Sequence, residues 1–238
     1  MARKLTLTNN LTKKYAKKTA KRSQRRVVGR ILIVCEGKKT EPNYFKAFKP
    51  HNNGVYLLDL DFGGGGINTK QVVEEAVRLK DNAEKRKMPY DAVWAVFDRD
   101  SFPADSFNSA IAKAEAHGVM SAWSNEAFEL WYLLHFEYRD TPMSRTDYGN
   151  AIAQHINTSP FYTSKKPYSY VKNDKSHYDD MKRYGDLERA IANATRLDGV
   201  YNDTKYANHN PRTKVYLLVL QMLGRDEEFN RKIIEKLK

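Results

Sequence analysis

The sequence of 238 residues contains one cysteine, Cys35. That excludes a disulfide framework and a cysteine-rich zinc centre, and it fits a reducing, cytoplasmic compartment. The six histidines fall in no H-x-x-x-H or comparable metal spacing. No apolar run approaches the ~20 residues needed to span a bilayer, so no membrane partner is expected. The glycines form neither Gly-x-x-x-x-Gly-Lys-Ser/Thr nor Gly-x-Gly-x-x-Gly. Without a P-loop or a dinucleotide fingerprint, an ATPase role inside this chain is not expected. Residues 1–30 contain no Asp or Glu at all.

The same thirty residues carry eleven bases, nearly all of the formal net charge of +12. The remainder holds thirty bases against 29 acids, so the body is almost neutral. No apolar segment follows the bases, so the arm does not read as a secretory signal. Its Lys and Thr content also differs from the Arg/Ser pattern of a mitochondrial presequence. Three readings of this 1–30 arm stay open: salt-sensitive attraction to phosphates, an amphipathic segment that docks on a partner, or a solubilising tail.

Ten Phe, fifteen Tyr and three Trp within a hydrophobic fraction of 41% supply a packed core and exclude global disorder. The β-branched run Ile31-Leu32-Ile33-Val34-Cys35 has the signature of a strand buried on both faces. Thr40 is a candidate N-cap for a helix bearing Tyr44, Phe45, Ala47 and Phe48. A second strand is expected over 55–61, closed by Gly63-Gly64-Gly65-Gly66. A helix follows with Val72, Val73, Ala76, Val77 and Leu79 at helical spacing. Residues 92–97 read as a buried strand, 105–117 as a helix, 119–123 as a strand and 125–136 as a helix. Such alternation predicts an α/β fold with a mostly parallel sheet flanked by helices. After about residue 140 only helices are expected, over 147–157, 178–197, 213–224 and 226–237, with a Lys/Tyr/Ser-rich loop over 161–178. The organisation is thus a basic arm at 1–30, an α/β domain at 31–140 and a helical region at 141–238.

Carboxylates stand directly after two of the buried strands: Glu36 after the first, Asp98 and Asp100 after 93–97. In an open parallel sheet the functional crevice lies beyond the carboxyl ends of the strands. If these strands are neighbours, the three acids meet there, and strand alternation would put Asp98 and Asp100 on one side with Arg99 turned away. Like charges so placed call for a cation. Hard oxygen ligands favour Mg²⁺ or Mn²⁺, and such a site suits phosphodiester chemistry. Taken singly, each acid also reads as a solvated loop residue or a helix cap.

A strand ending in Glu-Gly (Glu36-Gly37) and a strand ending in Asp-x-Asp (Asp98-Arg99-Asp100) resemble the Toprim fold of topoisomerases, primases and several nucleases. Longer phrases resemble the RloB-like family of bacterial defence and restriction-linked proteins. They are Cys35-Glu36-Gly37-Lys38-Lys39-Thr40-Glu41-Pro42-Asn43-Tyr44-Phe45, Phe97-Asp98-Arg99-Asp100, Ser124-Asn125-Glu126-Ala127-Phe128-Glu129-Leu130-Trp131, Leu133-Leu134-His135-Phe136 and Asn210-Pro211-Arg212-Thr213. One departure stands out: many Toprim sites carry a second acid four residues after the Glu, where this chain has Thr40, with Glu41 one place further. The resemblance implies a Toprim-type metal nuclease used against phage, often encoded beside an ATPase partner, with tRNA cut in some relatives. It implies Glu36 as general acid/base or metal ligand, and Asp98 and Asp100 as metal ligands. Glu41, Asn125, Glu129, His135 and Arg212 follow as second-rank candidates for the crevice or substrate. Asn125 and Glu129 lie four apart on the expected helix, and their alternative is capping. His135 falls in an apolar run, where a histidine is more often a satisfied core residue. Arg212 could clamp a phosphate ahead of a helix.

Lys38, Lys39, Lys165, Lys166, Lys172 and Lys175 are candidates for nucleic-acid contact. In the 161–178 loop these bases interleave with Tyr168 and Tyr170, a pattern suited to phosphate contact and base stacking on looped RNA, or to tyrosines tucked onto the helices. Gly63–Gly66 before a helix reads as a flexible connection, with phosphate cradling as its alternative. Two rivals remain: a phosphohydrolase with Asp98 as nucleophile, and a non-enzymatic defence subunit that binds nucleic acid or an ATPase.

Overall fold

The computed structural model describes residues 28–48, 57–100 and 102–236. The basic arm up to residue 27 and residues 55 and 56, which open the expected second strand, lie outside them. The described residues form a five-stranded sheet in the order β2-β1-β3-β4-β5. Its strands are β1 (Val28–Cys35), β2 (Leu57–Gly64), β3 (Ala92–Asp98), β4 (Met120–Asn125) and β5 (Arg212–Thr213). The first four run parallel and β5 is antiparallel to β4, so this is the expected α/β architecture. The chain steps from β1 outward to β2 and then returns to β3 on the other side of β1. The topological switch point therefore falls between β1 and β3.

Alternation along the strands divides the core in two. Ile31, Ile33, Cys35, Trp94, Val96 and Ala122 face one layer; Leu32, Val34, Val93, Ala95, Phe97 and Trp123 face the other. Against the second layer pack α2 (Thr69–Lys85) and α3 (Ala104–Ala116), through Val72, Val73, Ala76, Phe107, Ala110 and Ile111. Asn68 and Gln71 close a reciprocal capping box at the start of α2. The first layer receives α1 (Thr40–Ala47), α4 (Glu129–Leu133), α5 (Arg145–Thr158), α6 (His177–Tyr184), α7 (Leu187–Asp198), α8 (Val215–Met222) and α9 (Glu227–Glu235). Tyr44 is its hub, with the rings of Phe45, Phe48, Phe128, Trp131, Tyr132 and Tyr178 at 5.3 to 6.4 Å. Aromatic residues at this burial dominate core energetics. Among the described residues no helix is long and apolar enough to cross a membrane.

Several elements differ from expectation for local reasons. The segment expected as one helix over 125–136 is strand up to Asn125, because Asn125 and Ser124 pair with Arg212 and Thr213; only Glu129–Leu133 is helical. The strand β5 therefore joins the sequence-distant C-terminal region to the sheet. Trp94 Nε1 also donates to Gln221 Oε1 of α8 at 2.8 Å. The helix expected over 178–197 is two, broken at Gly185, after which Asp186 accepts the Arg189 N–H as the N-cap of α7. Thr40 is the first helical residue rather than the N-cap.

The glycine run is a fixed turn rather than a flexible connection. Gly64, Gly65 and Gly66 have φ of 78°, 104° and 75°, which glycine adopts without a Cβ penalty. The N–H groups of Gly65 and Gly66 donate to the carbonyls of Cys35 and Glu36 at 2.8 and 2.6 Å. With these amides spent on β1, the run does not present them to a phosphate.

Candidate active site

The switch point delivers two acids to one place. The Glu36 N–H continues the ladder to the Val96 carbonyl at 2.9 Å. Its side chain turns back so that Oε2 accepts the Asp98 N–H at 3.1 Å. Asp98, the last residue of β3, is buried; Glu36 is half-buried. Asp100 arrives by a different route from the alternation expected. The strand has ended, and Asp100 sits at φ 37°, in the left-handed region that Asp tolerates better than most residues. Its N–H donates to the Glu126 carbonyl at 3.0 Å.

Two further carboxylates close the crevice. Glu41, second residue of α1, folds back over Gly37, where an added Cβ would lie 2.2 Å from Glu41 Oε2. The Gly after Glu36 is thus what lets Glu41 enter. Glu129 opens α4, and its side chain is 2% exposed; Tyr170 Oη donates to Oε1 at 3.0 Å. Together Glu36, Glu41, Asp98, Asp100 and Glu129 line a cavity of about 360 Å³ with Lys38, Lys39, Lys172, Asn173 and Arg145.

Arg145, the first residue of α5, is the counter-charge and was not singled out by sequence. Its Nη2 donates to Asp98 Oδ2 at 3.1 Å and its Nη1 to Asp100 Oδ2 at 3.4 Å. Its Nε lies 3.4 Å from Glu129 Oε2. One guanidinium does not satisfy the crevice. Asp98 Oδ1 and Glu41 Oε2 are buried with no hydrogen-bond partner, a costly state for charged oxygens. Burial, with the charges of Glu41 and Glu129, pushes the Asp98 carboxyl well above its ordinary range. Burial likewise raises Glu41 to about 7, helped by Glu36 and Glu129. For Glu36, burial raises the carboxyl against the opposing Asp98 amide. The guanidinium of Arg145 is discouraged by burial but held ionised by Asp98, Glu129 and Asp100, which win.

The donor chemistry fits a hard divalent cation: carboxylate oxygens only, two of them buried and unpartnered. The positions are those of acids arranged around a guanidinium. Among the described residues, no three His, Cys, Asp or Glu side chains close on a common point as metal ligands.

Other sequence candidates fall elsewhere. Asn125 turns away from the crevice, because Nδ2 donates to the Ala207 and Tyr206 carbonyls at 3.1 and 3.4 Å. His135 is a buried core residue: its Nδ1 meets the Trp131 carbonyl at 2.9 Å, and burial lowers its pKa to about 4. Arg212 does stand just ahead of a helix, α8, but it is buried against Asp198, with Nε 2.6 Å from Oδ1, and lies outside the acid crevice. The tyrosines of the 161–178 loop are committed: Tyr162 donates to the Lys166 carbonyl, Tyr168 to Asp180 and Tyr170 to Glu129. Tyr168 and Tyr170 are thus fixed at their hydroxyls, and one face of Tyr170 is stacked on His177 at 4.5 Å. Lys165, Lys166, Lys172 and Lys175 are exposed, and Lys172 reaches the crevice. This loop is fastened there, since Thr40 Oγ1 donates to Asn173 Oδ1 at 3.0 Å. Lys38 lays its stem over the glycine turn, its Cε 2.3 Å from where a Gly66 Cβ would stand.

A larger cavity, about 1050 Å³, opens beside Tyr90, Val93, Met120 and Arg212. It lies at the amino ends of β3 and β4, away from the five acids.

Among known proteins, the family model described as RloB-like protein matches residues 31–222. Neither a curated protein nor a solved structure matches the chain.

Proposed function

The chain belongs to the RloB-like family, and from that premise and its acid crevice we propose a metal-dependent endonuclease with a Toprim-type core, acting as an antiphage effector. The observation that carries the reading is the meeting of Glu36, Asp98 and Asp100 at the switch point, with Asp98 Oδ1 buried and unpartnered. Glu36, Asp98 and Asp100 would hold Mg²⁺ or Mn²⁺. When bound, such an ion supplies an activated water and stabilises the oxygen that leaves phosphorus.

The chain's own residues account for the remaining work. Glu36, half-buried and raised in pKa, is suited to accept the proton of the attacking water at a carboxylate oxygen. Lys38, Lys39 and Lys172 give the crevice a basic rim that attracts phosphates and offsets the acids below. Tyr170 already stacks on His177, so the reading rests on phosphate contacts by these lysines rather than on stacking at Tyr170. The preference for RNA, tRNA included, over DNA rests on the family resemblance, as does an ATPase partner. The basic arm would add salt-sensitive attraction to the polyanion.

One observation favours the rival reading, a non-enzymatic defence subunit that binds nucleic acid or an ATPase: Arg145 already pairs with three of the acids. Incubating wild type and Glu36→Ala with total RNA and plasmid DNA, in Mg²⁺, Mn²⁺ or EDTA, separates the two. The nuclease reading expects cleavage that EDTA and Glu36→Ala both abolish. Absence of metal-dependent cleavage of either pool, alone or with an ATPase encoded beside it, would sink it.

A further inference from the structure

Arg145 is rooted firmly and held loosely. Its helix α5 is anchored in the core by Tyr148, Ile152 and Ile156, all fully buried, and Ser144 caps it by accepting the Asp147 N–H. The side chain, by contrast, remains 29% exposed. Its two hydrogen bonds to carboxylates are 3.1 and 3.4 Å long, above the 2.7–2.9 Å typical of good charge-assisted pairs. Nε is buried beside Glu129 without forming a hydrogen bond. A guanidinium built to lock a carboxylate permanently pairs in a bidentate, planar fork; this one spreads single contacts over three acids.

We propose that Arg145 is a tethered counter-ion, whose guanidinium holds the place of the divalent cation in the metal-free protein and must withdraw from Asp98 and Asp100 before the cation enters. The inference rests on the metal-dependent reading given above. It explains why the acids do not close on a common point: they are spaced for a planar group several ångströms across. A Mg²⁺ ion demands oxygens at about 2.0–2.1 Å, so its entry draws the same carboxylates inward. It also gives a use to the unpartnered Asp98 Oδ1, an acceptor that Arg145 leaves without a hydrogen bond. Metal uptake and Arg145 release are then one exchange of cations, and the freed guanidinium is left at the mouth of a site whose substrate is a polyanion.

The test measures Mn²⁺ binding by the full chain, by electron paramagnetic resonance and calorimetry, in wild type, Arg145→Met, Arg145→Lys and Asp98→Asn. Removing a competing unit charge should tighten Mn²⁺ binding in Arg145→Met by about tenfold or more. Arg145→Lys should stay near wild type, and Asp98→Asn should bind weakly. In EDTA, Arg145→Met should melt below wild type and gain more on adding Mn²⁺. Unchanged or weaker Mn²⁺ binding in Arg145→Met, with Asp98→Asn still impaired, overturns the exchange while leaving the metal reading intact. Mn²⁺ binding in none of the four proteins overturns both. A purely structural Arg145 would lower melting and affinity together, so a rise in affinity is the outcome that such a role cannot produce.

Discussion

The crevice beyond β1 and β3 sets five carboxylates against one guanidinium, with two acid oxygens unpartnered. Beside β5, a second, partly buried cluster has the opposite balance. Asp198 accepts from Arg212, Lys214 and Tyr216 at 2.5 to 2.7 Å, and Arg212 passes on to His209 at 2.6 Å, which in turn meets Asp203 at 2.7 Å. The guanidinium is also surrounded by the rings of Trp123, Tyr201 and Tyr206 at 5.5 to 5.9 Å. The pKa directions follow the balance: Asp98 is driven up. Asp198 is driven down, because its bases and the Tyr216 hydroxyl outweigh its burial. Burial of charge is common to both clusters, so it does not distinguish a site from a clasp. What distinguishes them is whether the protein itself supplies the partners. In the second cluster it does, and the cluster pins β5 and α8 to α7. In the first it does not, and the deficit is what a ligand would fill.

The largest effect expected from this contrast is on activity. Asp98→Ala should reduce metal-dependent cleavage by at least about 100-fold, since weaker perturbations around metal sites already cost 10–100-fold. The same change should leave the melting temperature unchanged or raise it, because one of several crowded charges is gone. A steep loss of stability in Asp98→Ala, read by calorimetry, would mean that the crevice is a clasp like the other.

Asp198→Ala should behave in the reverse sense. It strands Arg212 in a buried setting, a loss on the order of 3 kcal/mol, which corresponds to roughly 6–12 °C in a domain of this size. Cleavage per folded molecule should be retained. If urea denaturation shows less than about 1 kcal/mol of loss, the Arg212 cluster is not holding the C-terminal layer.

Titration gives a third, smaller divergence. Glu41 has a folded pKa of about 7 against an ordinary 4.5. Below 4.5 it is protonated in both states and contributes nothing. Between 4.5 and 7 the folded state holds the proton more tightly, so stability falls as pH rises, and above 7 the full cost is present. Asp198 has the opposite sign: its contribution is complete above its ordinary 3.8 and is lost as pH falls through the depressed folded value. Buried His135, lowered to about 4, pulls the other way over this range, but equally in both proteins. Between pH 5 and 8 in EDTA the denaturant midpoint of wild type should therefore lose ground to that of Glu41→Gln. An equal change in both proteins would remove Glu41 from the account.

Most of the sheet was legible from short β-branched runs and the acids that end them, because buried parallel strands leave little choice of residue. Glu36, Asp98 and Asp100 were legible for the same reason, since strand ends are marked in sequence. Arg145 was not: it follows an ordinary cap, Ser144, 45 residues from Asp100, and nothing in its neighbours reports a long-range ion pair. A two-residue strand such as β5 has too little sequence to show a period, and with it went the true surroundings of Asn125 and Arg212. Tyr168 and Tyr170 were open to two readings, and nothing near them in sequence points to the distant partners that hold them, Asp180, Glu129 and His177.

The glycine after Glu36 offers the finest test of the contrast. A Cβ at Gly37 would meet the far end of the Glu41 side chain, a group that can swing aside, and not backbone. Gly37→Ala should therefore cost less than about 1 kcal/mol, while pushing the Glu41 carboxylate out of the crevice. If Glu41 helps to shape the site, cleavage should fall about tenfold, short of the roughly 10²-fold that a 1 Å displacement of a reacting group can cost. At Gly185 the added Cβ would instead meet the Met181 carbonyl at 2.9 Å and His135 Cβ at 2.7 Å, both held by packing. Gly185→Ala should reduce stability more than Gly37→Ala does and spare cleavage per folded molecule. Measuring both variants by urea denaturation and by cleavage rate gives two ratios. The ratios should fall on opposite sides of wild type, because one glycine makes room for a charge and the other for the core.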